Sequence, residues 1–177
     1  MLGVSRGERV LEIGVGTGRT LARVADAVGP EGHVYGVDLS YEMVRLTREL
    51  LRTHDLFARV GLTCADAERL PLASACVDAI FMSFVLELFD TPAIPVVLRE
   101  CRRALRANGR IVVVAVSKQE RAGLVLRAFE WTHRHFPNLV DCRPIYARAA
   151  LETAGFRIER TVQRNMWVPV EIVLARR

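Results

Sequence analysis

The sequence predicts a doubly wound α/β fold: a mostly parallel, seven-stranded sheet with helices on both faces and an antiparallel edge strand. Three observations point there. Short β-branched runs alternate with helical stretches over most of the chain, the pattern of repeated βαβ units. Three glycines stand at the first junction of strand and helix, where such folds offer bare backbone to a ligand. The last two apolar runs follow each other too closely for a crossover helix, so they pair antiparallel.

In chain order, Arg9–Ile13 is the first strand, running straight into Gly14, and Thr20–Ala27 is the first helix. His33–Val37 and Tyr41–Thr53 repeat the unit, and Val60–Cys64 is the third strand. Val77–Met82 is almost continuously apolar, as a strand covered on both faces must be, and Thr91–Ala107 is the helix behind it. Arg110–Val116 is the fifth strand. Beyond it, Gln119–His135 reads as a helix mixing apolar and basic residues, and Pro137, Asn138 and Pro144 mark a loop. Ile145–Ala154 is a helix ended by Gly155, and Phe156–Gln163 and Val168–Ala175 close the sheet.

With 177 residues, 51% hydrophobic and 25% charged, the chain is expected to form a single domain with a full core. No apolar run approaches the ~20 residues that span a bilayer. Arg6, Glu8 and Arg9 interrupt any leader-like stretch, so a cytoplasmic location is the expectation. Cys64, Cys76, Cys101 and Cys142 show neither C-x-x-C pairing nor His partners, and read as small buried apolar residues rather than a metal or redox site. The net charge of +5 is carried almost wholly by arginine, Lys118 being the only lysine. That gives a mild affinity for anionic surfaces and is too little for a nucleic-acid binder.

The most informative segment is Val10-Leu11-Glu12-Ile13-Gly14-Val15-Gly16-Thr17-Gly18. A buried strand turns into a helix through three glycines, so a ligand lies against the backbone where side chains would obstruct it. Twenty residues past Gly18 stands Asp38, at the tip of the second strand, where an acid accepts hydrogen bonds from a ribose diol. These parts describe an adenosine-binding half, residues 1–116, with 117–177 on the acceptor side. A dinucleotide fingerprint spaces its glycines G-x-G-x-x-G, and here the position of its last glycine is Arg19. Glu12 adds a second difference: an acid there faces the cationic amino end of a ligand and repels a pyrophosphate.

Asp66 and Ala67 follow the third strand and Ser83 the fourth. Asp66 is placed to accept from an adenine amino group and the Ala67 N–H to donate to a ring nitrogen. The plain structural alternatives are a helix N-cap for Asp66 and a turn cap for Ser83.

The motif V-L-E-I-G-x-G-T-G, with Asp38, Asp66-Ala67 and the segment Asp78-Ala79-Ile80-Phe81-Met82-Ser83-Phe84, resembles the class I S-adenosylmethionine-dependent methyltransferases. The menaquinone/ubiquinone-biosynthesis C-methyltransferase-like group is the nearest match, and Leu98–Arg110 resembles its helix and turn before the fifth strand. The resemblance covers residues 9 to 116 well and the tail loosely. It implies the Rossmann-like methyltransferase fold, S-adenosylmethionine as cofactor, and a contact set of Glu12, Gly14, Gly16, Thr17, Gly18, Asp38, Leu39, Asp66, Ala67 and Ser83. Two departures stand out. Where the quinone enzymes continue with Gly-Leu-Arg-Asn, this chain has Val85-Leu86-Glu87-Leu88, so its acceptor need not be a quinone. It also begins about eight residues before the glycine strand, without the usual capping helices, so either the site is unusually open or a dimer partner, a membrane or Gln119–His135 covers it.

The expected activity is methyl transfer to a small or lipid-like acceptor, with no metal and no nucleic-acid partner, and with peripheral membrane contact and a homodimer as further expectations. In-line positioning supplies on the order of 7–11 kcal/mol without a catalytic triad. Glu87, His133, His135 and Tyr146 are candidates for a base, and Trp131 and Trp167 for an apolar acceptor wall, each with an ordinary surface or core role as the alternative. Arg99, Arg102, Arg103 and Arg106 form a basic stripe at helical spacing, read as a solvated face or an anionic-lipid contact. The competing functions are a non-catalytic module of the same fold and a nucleotide-cofactor oxidoreductase.

Overall fold

The computed structural model describes residues 2–118, 144–165 and 168–177. The elements are β1 (Arg9–Ile13), α1 (Arg19–Val28), β2 (His33–Asp38), α2 (Tyr41–Thr53), β3 (Val60–Cys64), β4 (Val77–Ser83), α3 (Ile94–Ala104), β5 (Leu105–Val116), α4 (Ala147–Thr153), β6 (Arg157–Asn165) and β7 (Pro169–Arg176). The sheet order is β3-β2-β1-β4-β5-β7-β6. The first five strands are parallel, and β7 pairs antiparallel with both β5 and β6. The expected antiparallel pair therefore stands at this edge, with β7 one place in and β6 outermost.

Alternation along β1 distributes its side chains between two cores. Leu11 and Ile13 join Ile80, Met82, Ile111 and Val113 under α3 and α4. Val10 joins Leu21, Val24, Ala25 and Val28 of α1, with Leu51 of α2, on the opposite face. Glu12 shares the parity of Val10 and is paired in register with Gly36 on one side and Phe81 on the other.

The helices differ in extent from the expected ones for identifiable reasons. The predicted helix Thr91–Ala107 spans only Ile94–Ala104, because fully buried Leu105 leaves the helical path and pairs with Val77. Asn108, at φ 64, then turns the chain into the straight part of β5. Ile145, expected in a helix, instead bridges Ser117 across the sheet end, its N–H donating to the Val116 carbonyl at 3.0 Å. The cysteines are not uniformly buried as expected: Cys101 is buried, Cys76 partly, and Cys64 is exposed with its thiol donating to the Leu39 carbonyl at 3.4 Å. The Gln119–His135 helix, Pro137, Asn138 and Cys142 lie outside the described residues.

The N-terminal segment is fastened to the middle of the sheet. Arg110 on β5 donates to both carboxylate oxygens of Glu8, at 2.8 and 2.7 Å, and to the carbonyls of Leu2 and Gly3. Its side chain is 12% exposed, so this bidentate pair is largely shielded from solvent.

Candidate cofactor site

Strand order reverses between β1 and β4, and this switch point opens a crevice at the carboxyl ends of the strands. The loop from Gly14 to Gly18 lies there. All three glycines have positive φ, between 52° and 79°, a region L-residues with a Cβ enter at a cost. Gly14 and Gly18 are needed for space as well. A Cβ on Gly14 would stand 2.2 Å from Val85 Cγ2, and one on Gly18 2.7 Å from Thr47 Cγ2. Gly16 differs: a Cβ there would meet nothing within 4 Å, so its missing side chain leaves open room rather than relieving a clash.

Asp38 reaches this loop directly. One carboxylate oxygen accepts the Gly16 N–H at 3.0 Å and the other accepts the Ser40 N–H at 2.9 Å. The loop is thereby tied to the tip of β2, and the β2 tip to β3 through the Ala65 N–H donating to the Asp38 carbonyl at 3.0 Å. Behind the loop, the Thr47 hydroxyl donates to the Gly16 carbonyl at 2.9 Å. Beside Asp38, Leu39 exposes 74% of its surface and Tyr41 66%, an apolar margin on the rim of the crevice. Thr17 is exposed on the same loop.

Glu12 is the anomalous group. It is 3% exposed, and its Oε2 is buried without a hydrogen-bond partner. Burial pushes its carboxyl up from the ordinary 4.5 to about 8. A buried acid with an unpartnered oxygen at a glycine loop invites a cationic donor.

The other expected residues are placed less decisively. Asp66 is exposed and its Oδ1 accepts the Glu68 N–H at 2.9 Å, the capping role named as its alternative. It nevertheless stands at the β3 tip, with Ala67 buried at the start of the 3-10 turn Ala67–Arg69. Ser83 ends β4 and is half-buried. Past it, Glu87 is 1% exposed rather than a surface residue. Its Oε1 accepts the Val116 N–H at 3.1 Å, its Oε2 has no partner, and burial raises its pKa. Tyr146 is 52% exposed before α4. His133, His135, Trp131 and Trp167 lie outside the described residues.

Sequence reasoning missed Val85 and Thr47, which seal the loop from two sides. Thr47 had a signal: it is a polar residue on the stripe Val44, Thr47, Leu51 that α2 buries.

The pattern from β1 to the turn before the straight part of β5 carries the identification, since the family model for the methyltransferase domain matches residues 10–109. The chain belongs to the methyltransferase-domain family. S-adenosylmethionine is the cofactor of this family. The ubiquinone/menaquinone biosynthesis C-methyltransferase UbiE of Proteus mirabilis is 36% identical over 116 residues, 66% of this methyltransferase-family chain and 45% of the relative. The match thus spans less than half the length of that curated relative. The crystal structure of a SAM-dependent methyltransferase from Aquifex aeolicus superposes with a TM-score of 0.75 at 26% identity, covering 99% of this chain and 85% of that one. Geranyl diphosphate C-methyltransferase from Streptomyces coelicolor A3(2), solved with Mg2+, geranyl diphosphate and S-adenosyl-L-homocysteine, shares the fold with a TM-score of 0.81 at 17% identity, covering 99% and 76% of the two chains.

Proposed function

We propose that this chain transfers a methyl group from S-adenosylmethionine to a small or lipid-like acceptor by in-line displacement. The observation that carries the reading is the buried Glu12 carboxyl, one oxygen unpartnered, at a glycine loop whose middle glycine opens onto free space. When bound, S-adenosylmethionine supplies a methyl group on a positively charged sulfur, electrophilic enough to need no activation. The chain's residues therefore bind and align.

In this reading Glu12 takes the cofactor's ammonium group, and Gly14, Gly16, Thr17 and Gly18 give it bare backbone. Asp38, already fixed by two backbone N–H groups, offers its remaining lone pairs to the ribose diol. Leu39 covers one face of the adenine, while Asp66 and the Ala67 N–H meet its edge. Ser83 lies at the methyl-bearing side. Glu87 and Tyr146 are the acceptor-side candidates within the described residues. Glu87 stands where the quinone enzymes resembled above have Arg, so this turn carries a buried carboxyl in place of a cation.

Two relatives support an apolar acceptor: one is named for ubiquinone and menaquinone biosynthesis and the other for geranyl diphosphate. No described helix is long and apolar enough to cross a membrane. We place the chain in the cytoplasm, meeting a lipid-like acceptor at a membrane surface, and as a homodimer.

The test is calorimetric titration with S-adenosylhomocysteine and, separately, with NADH. Wild type is expected to bind the first and not the second. Asp38→Ala is expected to weaken S-adenosylhomocysteine binding roughly 10- to 150-fold, the loss of one or two hydrogen bonds to a charged group. Binding of NADH alone would establish the oxidoreductase alternative. Cofactor binding without transfer to any of a panel of phenols, amines and prenylated hydroquinones would support the non-catalytic module.

A further inference from the structure

The basic stripe expected along α3 is divided by the fold into two unlike halves. Arg103 turns inward, paired with Glu100 at 2.8 Å and donating to the carbonyls of Leu70 and Leu72. Arg106 pairs with Asp78 at 2.6 Å. Arg99 and Arg102, one turn apart and both exposed, form no ion pair or hydrogen bond among the described residues. They face a cleft of about 990 Å³ between α3 and α4. Arg103, Lys118 and Arg177 also line it, and no acid does among its described lining residues. The walls between these cations are small or apolar, among them Ile94, Pro95, Ile145 and Ala150.

The spread of charge decides what the cleft fits. Lys118 follows the carboxyl end of β5, while Arg177 is held at its beginning, its N–H donating to the Gly109 carbonyl at 3.0 Å. From Gly109 to Ser117 a strand advances about 25 Å. Cations that far apart cannot converge on one small anion, but they match a field of anionic headgroups. At the Lys118 end, the ammonium lies 5.9 Å from the centre of the exposed Tyr146 ring. An aromatic ring beside a long cation is the pairing that sits where headgroups meet acyl chains.

We propose that the α3–α4 face docks on an anionic phospholipid bilayer, with Arg99, Arg102 and Lys118 against the headgroups and the apolar cleft walls against the acyl boundary. This deepens the membrane contact of the proposed function and rests on that reading for the reason the chain meets a bilayer. Its charge argument is independent of the cofactor site, which lies at the tips of β1 to β4.

The test is sedimentation of the full chain with vesicles of phosphatidylcholine alone and of an equal mixture with phosphatidylglycerol. Wild type is expected to co-sediment with the mixed vesicles only. One cation near an anionic surface is worth about fivefold in partitioning, so Arg99→Gln with Arg102→Gln is expected to lose roughly 30-fold. The pair Arg23→Gln with Arg52→Gln removes the same net charge from α1 and α2, and is expected to change binding by less than a third of that. Equal losses from both pairs would overturn the assignment of this face, and so would a wild type that ignores the mixed vesicles, the outcome expected if the cleft serves an acidic protein. S-adenosylhomocysteine binding, measured alongside, is expected to be unaltered in both pairs. A failed cofactor reading and a failed membrane face are thereby told apart.

Discussion

Exchanging Glu12 for glutamine should separate what this residue costs the fold from what it contributes to binding. The unfolded chain releases the Glu12 proton near 4.5, whereas burial makes the folded chain hold it to about 8. The folded state binds the extra proton across this window, so its stability falls as pH rises from about 4.5 to about 8. At 1.36 kcal/mol per pH unit, the penalty at pH 7 is on the order of 3 kcal/mol. Glutamine has no charge to desolvate, but it still buries an amide that costs about 1–2 kcal/mol. Glu12→Gln is therefore expected to be more stable than wild type at pH 7 by about 1–2 kcal/mol, with the gain gone at about pH 6 and reversed below it. Urea denaturation across this range reads the difference directly. Binding should move the other way. Loss of a charge-assisted hydrogen bond is worth about 1.5–3 kcal/mol, so S-adenosylhomocysteine, which keeps the amino group, should bind roughly 10- to 150-fold more weakly. Wild-type affinity should also weaken as pH falls below about 8, by up to tenfold per pH unit, because the ammonium must displace the Glu12 proton. The variant should lack this dependence. A variant that is less stable at every pH and binds the ligand like wild type, with the same pH profile, would refute the reasoning.

Two further substitutions probe the scaffold of the site. Gly14→Ala places a Cβ at φ 74°, 2.2 Å from Val85 Cγ2, and should destabilise by about 2–5 kcal/mol in denaturant titration, with partial recovery when Val85→Ala is added. Arg110→Ala removes the clasp on Glu8, Leu2 and Gly3 and should cost about 2–3 kcal/mol. The hydrogen bond from Arg110 holds the Glu8 carboxyl below its ordinary 4.5, so its stabilisation is present above that pH and lost as pH falls below it. The variant should show less acid destabilisation from this source, and an unchanged acid limb would contradict the pairing.

The parts legible in the sequence were those governed by neighbours in the chain. β1, β3 and α2 begin and end at the residues their local patterns mark. The glycine loop and the acid at the β2 tip were readable for the same reason, since a turn that admits only glycine announces itself. What escaped was decided by distant partners. Leu105 continues the apolar stripe of α3, yet it pairs with Val77, and only the β4–β5 register reveals that. Glu87 looked like a surface acid because nothing near it in sequence shows that the Val116 N–H waits above it. The four arginines from Arg99 to Arg106 looked equivalent until Glu100 and Asp78 took two of them. Val85, thirty residues and more beyond the second helix, closes on Gly14 through the adjacency of β1 and β4.

Thr47 belongs to the second helix, yet its hydroxyl props the Gly16 carbonyl and its methyl fills the hollow of Gly18. The proposed cofactor pocket is thus a joint product of two successive units rather than a property of its own turn. Any substitution that slides α2 by a fraction of an ångström, even one buried near Leu51 and far from every ligand atom, will register as altered cofactor uptake. Loss of function in this protein can begin behind the loop, where no contact map of the bound ligand would look.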